Sequence, residues 1–404
     1  MPGVNELVGN LKTQSDLTSE QVKIRYNESV SVSGGGTKIQ LKFPKIPGKM
    51  LNMNSIFLHF TTTMTGADVC LDTYSFNSFF NRVRLLSSSN VLLDIYDYGS
   101  LATTLAQAET SVYSANPQSR KNQGLFVSST ESKASSSKRC AIQFPKGSLL
   151  NCSSLIPLDK ISGHLTLELY LADPKKILFS TTNDVTANFT LSDIQILCDY
   201  IQSPSLSSYY DSNGLNFHVN NWSHRFQPVP ESKTVLRIPS AYTSLSKLLI
   251  LIRDQSKVDA TNILSTADRQ QSMIVYNDIQ DVQLYSNNSP LWSESIVNAN
   301  VQTELWNETL KCFPQIEKSS YFTDVTVSKQ VGGSGPIGIN LQSAPKAFHD
   351  SLISGLKSKS HVSDLYSLIS WKTGITTTNY CATVFLANDS RVFVDSSNAL
   401  QIEF

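Results

Sequence analysis

Residues 83–94 read VRLLSSSNVLLD, and residues 282–293 read VQLYSNNSPLWS. Each stretch alternates apolar residues (Val83 and Leu85; Val282 and Leu284), passes through a polar tetrad at 87–90 or 286–289, and then turns apolar again. Alternation of period two puts one set of side chains on one face of a strand, so a short polar break between two such runs predicts a β-hairpin. In both copies a segment of helical character follows, at 99–108 and 293–310. The second copy starts 199 residues after the first in a chain of 404, which points to one domain built twice in tandem.

A true duplication repeats other landmarks in the same order. Leu41-Lys42-Phe43-Pro44 matches Leu236-Arg237-Ile238-Pro239, and each is apolar, basic, apolar, proline. Next come short apolar runs at 56–60 and 248–252, and downstream the strand-like runs at 165–171 and 365–371. The expected division is an N-terminal arm at 1–20, a first β domain at 21–201, a linker at 202–214 (QSPSLSSYYDSN at its core) and a second β domain at 215–404.

Thirty-three basic and 33 acidic side chains cancel, so no global positive field exists to hold nucleic acid, and no sequence-specific nucleic-acid binding is expected. Only 16% of residues are charged while 40% are hydrophobic. A surface made from Ser, Thr, Asn and Gln suits β-structure and large subunit contacts better than a free enzyme surface. The six cysteines have no C-x-x-C or zinc-type spacing and read as small buried hydrophobes in a reducing compartment. No signal-peptide core is visible and no run of 18 apolar residues occurs, so synthesis in the cytoplasm without a membrane span is expected.

Two segments stand outside the β pattern. The arm carries Val4, Leu7, Val8 and Leu11 on one helical face, a stripe suited to docking. Residues 113–139 are Ser-rich, are broken by Pro and Gly, and carry Arg120, Lys121, Lys133 and Lys138; they are expected to form an exposed excursion that joins neither core. Phe76, Phe79 and Phe80 precede the first hairpin without flanking bases enough to stack nucleic acid, so they read as core. The turn at 33–38 (SGGGTK) lacks the phosphate-loop spacing and leads into a strand.

Chemistry-bearing patterns are missing. The six histidines form no H-x-H or H-E-x-x-H, which removes the paired-barrel metal enzymes, and no G-x-S-x-G elbow occurs in a strand-to-helix context. His218 and His224 are close enough in sequence to face one another across a bend, but nothing nearby completes a site. No catalytic, cofactor-binding or metal residue is therefore assigned, and no cofactor is expected.

Several phrases carry a family likeness. Phe79-Phe80-Asn81-Arg82-Val83-Arg84-Leu85, Leu155-Ile156-Pro157-Leu158 followed by the alternating run at 163–171, and the closing pair at 380–386 and 400–404 resemble passages of the double jelly-roll major capsid proteins of icosahedral DNA viruses, the lineage of tectiviruses, Polinton-like viruses and adenovirus hexons. The resemblance implies an all-β fold of two tandem eight-stranded jelly-roll sandwiches with short helices and long surface loops. It also implies a homotrimer whose six jelly rolls form a pseudohexagonal capsomer in the virion shell, in contact with neighbouring capsomers, with minor or penton capsid proteins, and with an internal membrane where one exists. Under that reading the arm faces the particle interior. A glycan-binding β-sandwich protein is the alternative, and a tandem jelly-roll hydrolase a more remote one, since paired carboxylates leave no sequence signature.

Overall fold

The computed structural model describes residues 17–26, 30–32, 35–71, 75–109, 121–126, 133, 137–182, 184–229, 233–238, 242–259, 261–263, 279–297, 303–313, 336–342, 355–356, 365–374 and 380–403. The principal elements of the first half are β1 (Thr18–Arg25), β2 (Lys38–Lys42), β3 (Lys49–Asn52), β4 (Phe57–Thr65), β5 (Phe80–Ser87), β6 (Asn90–Tyr96), α1 (Tyr98–Glu109), β7 (Lys138–Gln143), β8 (Leu165–Leu171) and β9 (Asn188–Gln202). A helix, α2 (Pro204–Asn213), leads to the second half. There follow β10 (Asn216–Val229), β11 (Lys233–Ile238), β12 (Leu245–Asp254), β13 (Ile279–Ser286), α3 (Thr303–Lys311), β14 (Ile337–Asn340), β15 (Leu365–Trp371), β16 (Tyr380–Val394) and β17 (Leu400–Glu403).

The two halves repeat one topology. In the first half one sheet runs β1–β9–β4–β7, with β3 also on β9, and the facing sheet runs β2–β8–β5–β6. In the second half the corresponding sheets are β10–β16–β12–β14 and β11–β15–β13 followed by Ser289–Pro290. Every strand in the second set takes the place of its counterpart in the first, and among the described residues no sheet crosses between halves. Register repeats too: Val83 lies opposite Leu169 and Val282 opposite Ile369. This is a double jelly roll, two antiparallel sandwiches in tandem.

Both hairpins that predicted the repeat are present with two-residue turns. Ser87 pairs with Asn90 around Ser88-Ser89, and Ser286 pairs with Ser289 around Asn287-Asn288. Asn287 and Asn288 have φ of 53° and 63°, the left-handed pair that a type I′ turn demands and that Asn tolerates. The turn at Ser88 (φ 55°) rests against Gly163, and the Ser88 amide donates to the His164 carbonyl at 3.1 Å. Gly163 itself has φ +77°, and a Cβ placed there would lie 1.5 Å from Ser88 Oγ. Gly163→Ala is therefore expected to cost about 1–3 kcal/mol through left-handed strain and displacement of the turn. An unchanged midpoint in urea titration would show that the turn relaxes freely.

The first core is rich in phenylalanine. Phe79 stacks on Phe76 at 5.2 Å and meets Phe189 at 4.6 Å, and Phe60 approaches Phe76, Phe79 and Phe80 at 6.3, 6.2 and 5.6 Å. All five rings are fully buried, as expected for core rather than a base-stacking platform.

Boundaries differ from the sequence expectation where side-chain chemistry outweighs composition. Thr18, Ser19 and Glu20, assigned to the arm, are the first residues of β1 and pair with Gln202, Ile201 and Tyr200. The linker at 202–214 contains α2: Ser203 Oγ caps the Leu206 amide, Pro204 occupies the first turn, and Gly214 (φ +69°) ends the helix by donating to the Tyr210 carbonyl at 2.9 Å. Tyr210 donates to the Leu155 carbonyl at 3.3 Å and Lys160 pairs with Asp211 at 2.5 Å, so the linker is docked on the first half. Of the second helix, expected across 293–310, Thr303–Lys311 is helical, while Ile296–Val297 pairs with β13 as a short strand instead. The stripe of Val4, Leu7, Val8 and Leu11 lies outside the described residues.

Candidate assembly surfaces

The second-half strands that join the halves belong to one sheet, β10–β16–β12 with β17. Along β12 and β16 every residue of two apolar runs is buried, but to opposite sides. Leu248, Ile250, Ile252, Val384 and Leu386 belong to the second core, while Leu249, Leu251, Phe385 and Ala387 belong to the continuous core of the first half. A strand buried on both faces needs an uninterrupted apolar run, which these segments supply. Burying Leu249, Leu251 and Phe385 contributes on the order of 2 kcal/mol each, before ordering costs.

The edge that covers this face is the first hairpin. Tyr96, on β6, stacks on His224 of β10 at 5.2 Å and 26°, and His224 lies 6.4 Å from the Phe385 ring. The Arg82 guanidinium sits 3.7 Å over the Tyr96 ring and forks onto Asp94 at 2.7 and 2.6 Å. Deeper in the seam Arg253, 3% exposed, donates to Asp97 Oδ2 at 2.6 Å, Thr383 Oγ1 at 2.6 Å and Ser100 Oγ at 3.1 Å. Asn90 Nδ2 reaches the Leu400 carbonyl at 3.4 Å, and the Ser162 amide reaches the Asn398 carbonyl at 2.6 Å.

None of these seam residues was singled out from sequence as joining the halves. The usable signal was the unbroken runs at 248–252 and 384–387, too apolar for strands with one wet face. His218 and His224 do not face one another across a bend; both lie on β10. Burial holds the His224 imidazole below its ordinary range, against the opposing pull of Asp97 and Asp94 and with help from Arg82 and Arg253. The unfolded chain thus binds the proton more readily, so His224 contributes stability above about pH 6.5 that is lost as pH falls toward its depressed value. His224→Gln should melt lower than the parent at pH 7.5, and the gap should narrow at pH 5; thermal melts at both pH values with a constant gap would refute this.

The facing sheets carry different chemistry in the two halves. On the first, Gln40, Glu168, Arg84 and Asp94 form one row across four strands. Burial disfavours the Glu168 carboxylate, but hydrogen bonds from Gln40, Lys38 and Tyr170 outweigh it and hold the group below the usual carboxylate range. On the second, the same row is Val235, Leu368 and Gln283, and beside it Tyr285 and Tyr366 stack at 5.0 Å and 10°. Val235 at one edge of this sheet and Leu291 at the other are 48% and 41% exposed.

The described residues of the excursion at 113–139 are partly exposed and partly core. Lys121 and Lys133 are exposed, and Lys133 pairs with Asp68. Lys138 is half-buried in β7, where it lies 5.1 Å over the Phe126 ring, so it belongs to the scaffold and not to the loop. Leu125 and Phe126 are buried, Leu125 bridging Ser75 and Phe126 meeting Phe76 at 4.9 Å, which corrects the expectation that the excursion joins neither core. Arg120 lies outside the described residues.

The described residues include no group of three His, Cys, Asp or Glu side chains able to hold a metal ion. All six cysteines are buried and unpaired, and burial pushes the Cys152 and Cys381 thiols up to about 11. A recess of about 120 Å³ beside α1 is lined by Phe57, Ala102, Leu105, Leu125 and Phe144 among others, without a convergent set of ionisable groups.

No family model matches the sequence, and no curated protein matches it. Solved structures do. PBCV-1 VP54, as fitted into a reconstruction of the virophage Sputnik, superposes with a TM-score of 0.63 at 12% identity, covering 98% of this chain and 99% of that one. The Faustovirus major capsid protein gives 0.58 at 9% identity, covering 98% and 95%, and a chain of the Sputnik virophage gives 0.57 at 10%, covering 98% and 89%. The double jelly roll read from the sequence is the fold these capsid chains share with it.

Proposed function

We propose that this chain is the major capsid subunit of an icosahedral DNA virus, a structural protein that assembles as a homotrimer with six jelly rolls in each pseudohexagonal capsomer. The observation that carries the reading is the likeness to capsid chains over the whole length of both partners, with no large domain left over on either side. The internal repeat supports the stoichiometry. Within the chain, the hairpin edge of one sandwich covers the outer sheet face of the next. An arrangement in which one surface meets a different one is heterologous, and repeated through equal steps it closes into a ring, here six sandwiches from three chains.

The low charge of the chain favours such side-by-side packing, because few lateral charges must be desolvated. In this reading the chain is made in the host cytoplasm and resides in the virion shell. Its arm, through Val4, Leu7, Val8 and Leu11, faces the interior and docks on a neighbouring capsomer, a minor or penton protein or an internal membrane. Sedimentation of the purified chain should give a trimer, and electron microscopy should show trimeric capsomers, hexagonal plates or shells. A monomer without any such assembly would overturn the reading.

A further inference from the structure

We propose that the outer face of the β1–β9–β4–β7 sheet receives the second-half hairpin edge of another copy of this chain, and that exposed complementary charges orient this joint. The inference rests on the ring reading above, which leaves these two surfaces as the pair to be joined between copies. The duplication makes them the counterparts of the pair already joined within the chain.

Their chemistry has changed together. In the chain's own seam the receiving face is mainly apolar and aromatic, with Trp222, Leu249, Leu251 and Phe385 buried in it and its one buried cation, Arg253, already paired with Asp97. The counterpart face presents Lys23 and Arg25 on β1 and Arg139 on β7, all exposed, around the half-buried His59. Asp193 and Asp199 are the acidic groups of the neighbouring strand β9. Among the described residues, none of the ion pairs uses Lys23, Arg25 or Arg139. The His59 imidazole is held below its ordinary range by burial first and by Arg139 and Lys23 next, which is the mark of a locally positive surface.

The inserting edge has changed in the opposite sense. Arg82, the cation that lies over Tyr96 in the seam, stands opposite Tyr96 and Tyr170 in the ladder. The residue in that register position in the second half is Asp281, opposite Val297 and Ser370. Asp281 is half-buried and accepts from Ser370 Oγ at 3.0 Å, and Glu294 nearby is exposed. Within the chain an edge whose Arg82 is neutralised by Asp94 meets an apolar face with one buried cation, Arg253 paired to Asp97, whereas between copies an acidic edge meets a basic face. The seam inside one chain never dissociates in the assembly cycle and can be a core; a joint between copies must form reversibly, and charge gives it orientation and a fast encounter.

The test is sedimentation velocity of the full chain and its variants in about 0.1 M and about 1 M NaCl, where screening lengths are about 10 and 3 Å. The parent trimer should weaken as salt rises. Asp281→Asn keeps the acceptor for Ser370 and should raise the concentration needed for half-assembly about tenfold in low salt, with little effect in high salt. Arg25→Glu, on an exposed edge strand, should do the same, and Arg25→Glu combined with Asp281→Lys should recover assembly. Trimers of equal strength for the parent, Asp281→Asn and Arg25→Glu in low salt would overturn this inference and leave the capsid reading standing. A parent chain that is monomeric in both salts would overturn the two together. Should Asp281→Asn lower the melting temperature, Arg25→Glu and its rescue decide alone.

Discussion

Arg253→Ala should be among the most damaging single substitutions in this chain, lowering stability by about 3–5 kcal/mol, because it strips the partner from a carboxylate inside the seam. Arg253 has three oxygen partners, two of them, Asp97 and Ser100, on the other half of the molecule. Removing it leaves Asp97, whose side chain is 21% exposed, to recover hydration only in part. The double variant Asp97→Asn with Arg253→Met should be milder than Arg253→Ala alone, since it leaves no unpaired charge. Calorimetry adds a second readout: with the seam weakened, one cooperative transition should separate into two, one for each sandwich. A single transition with an unchanged midpoint would mean that the sandwiches are held by apolar contact alone.

Phe79→Ala should cost a similar amount, about 3–5 kcal/mol, for a different reason. The ring is wholly buried against Phe60, Phe76 and Phe189, and the rigid strands around it limit collapse of the void. Phe79→Leu retains most of the volume and should recover more than half of the loss. Equal loss in both variants would show that ring geometry, and not filled volume, sets the stability of this cluster; such a result is measurable in the same denaturant titrations.

The fold was legible because its evidence is local and repeated. A two-residue turn between alternating runs leaves a signature within a dozen residues, and finding it twice, with proline and apolar landmarks in matching order, specifies a tandem sandwich. The buried phenylalanines were legible for the same reason. The seam was not, because Tyr96, Asp97, His224 and Arg253 are brought together only by packing, and each alone reads as an ordinary strand or turn residue. Composition also misled at the excursion, where Leu125 and Phe126 themselves are buried, and at the linker, where Ser203, Pro204 and Gly214 form a capped helix inside a sequence that looks like a spacer. In both cases a few side chains outweighed the average character of the segment.

The doubly buried sheet has a consequence for synthesis on the ribosome. Both sheets of the first sandwich close among residues 18–202, so that half can fold as soon as it has emerged. Its hairpin edge and apolar flank must then wait, uncovered, until β16 arrives almost two hundred residues later, since β16 is the central strand that β10 and β12 both need. At about 5–20 residues per second that interval is on the order of ten seconds or more. A chaperone that shields the nascent first sandwich, or a stretch of fast translation through the second, would therefore govern the yield of usable subunits more than the final stability of either sandwich.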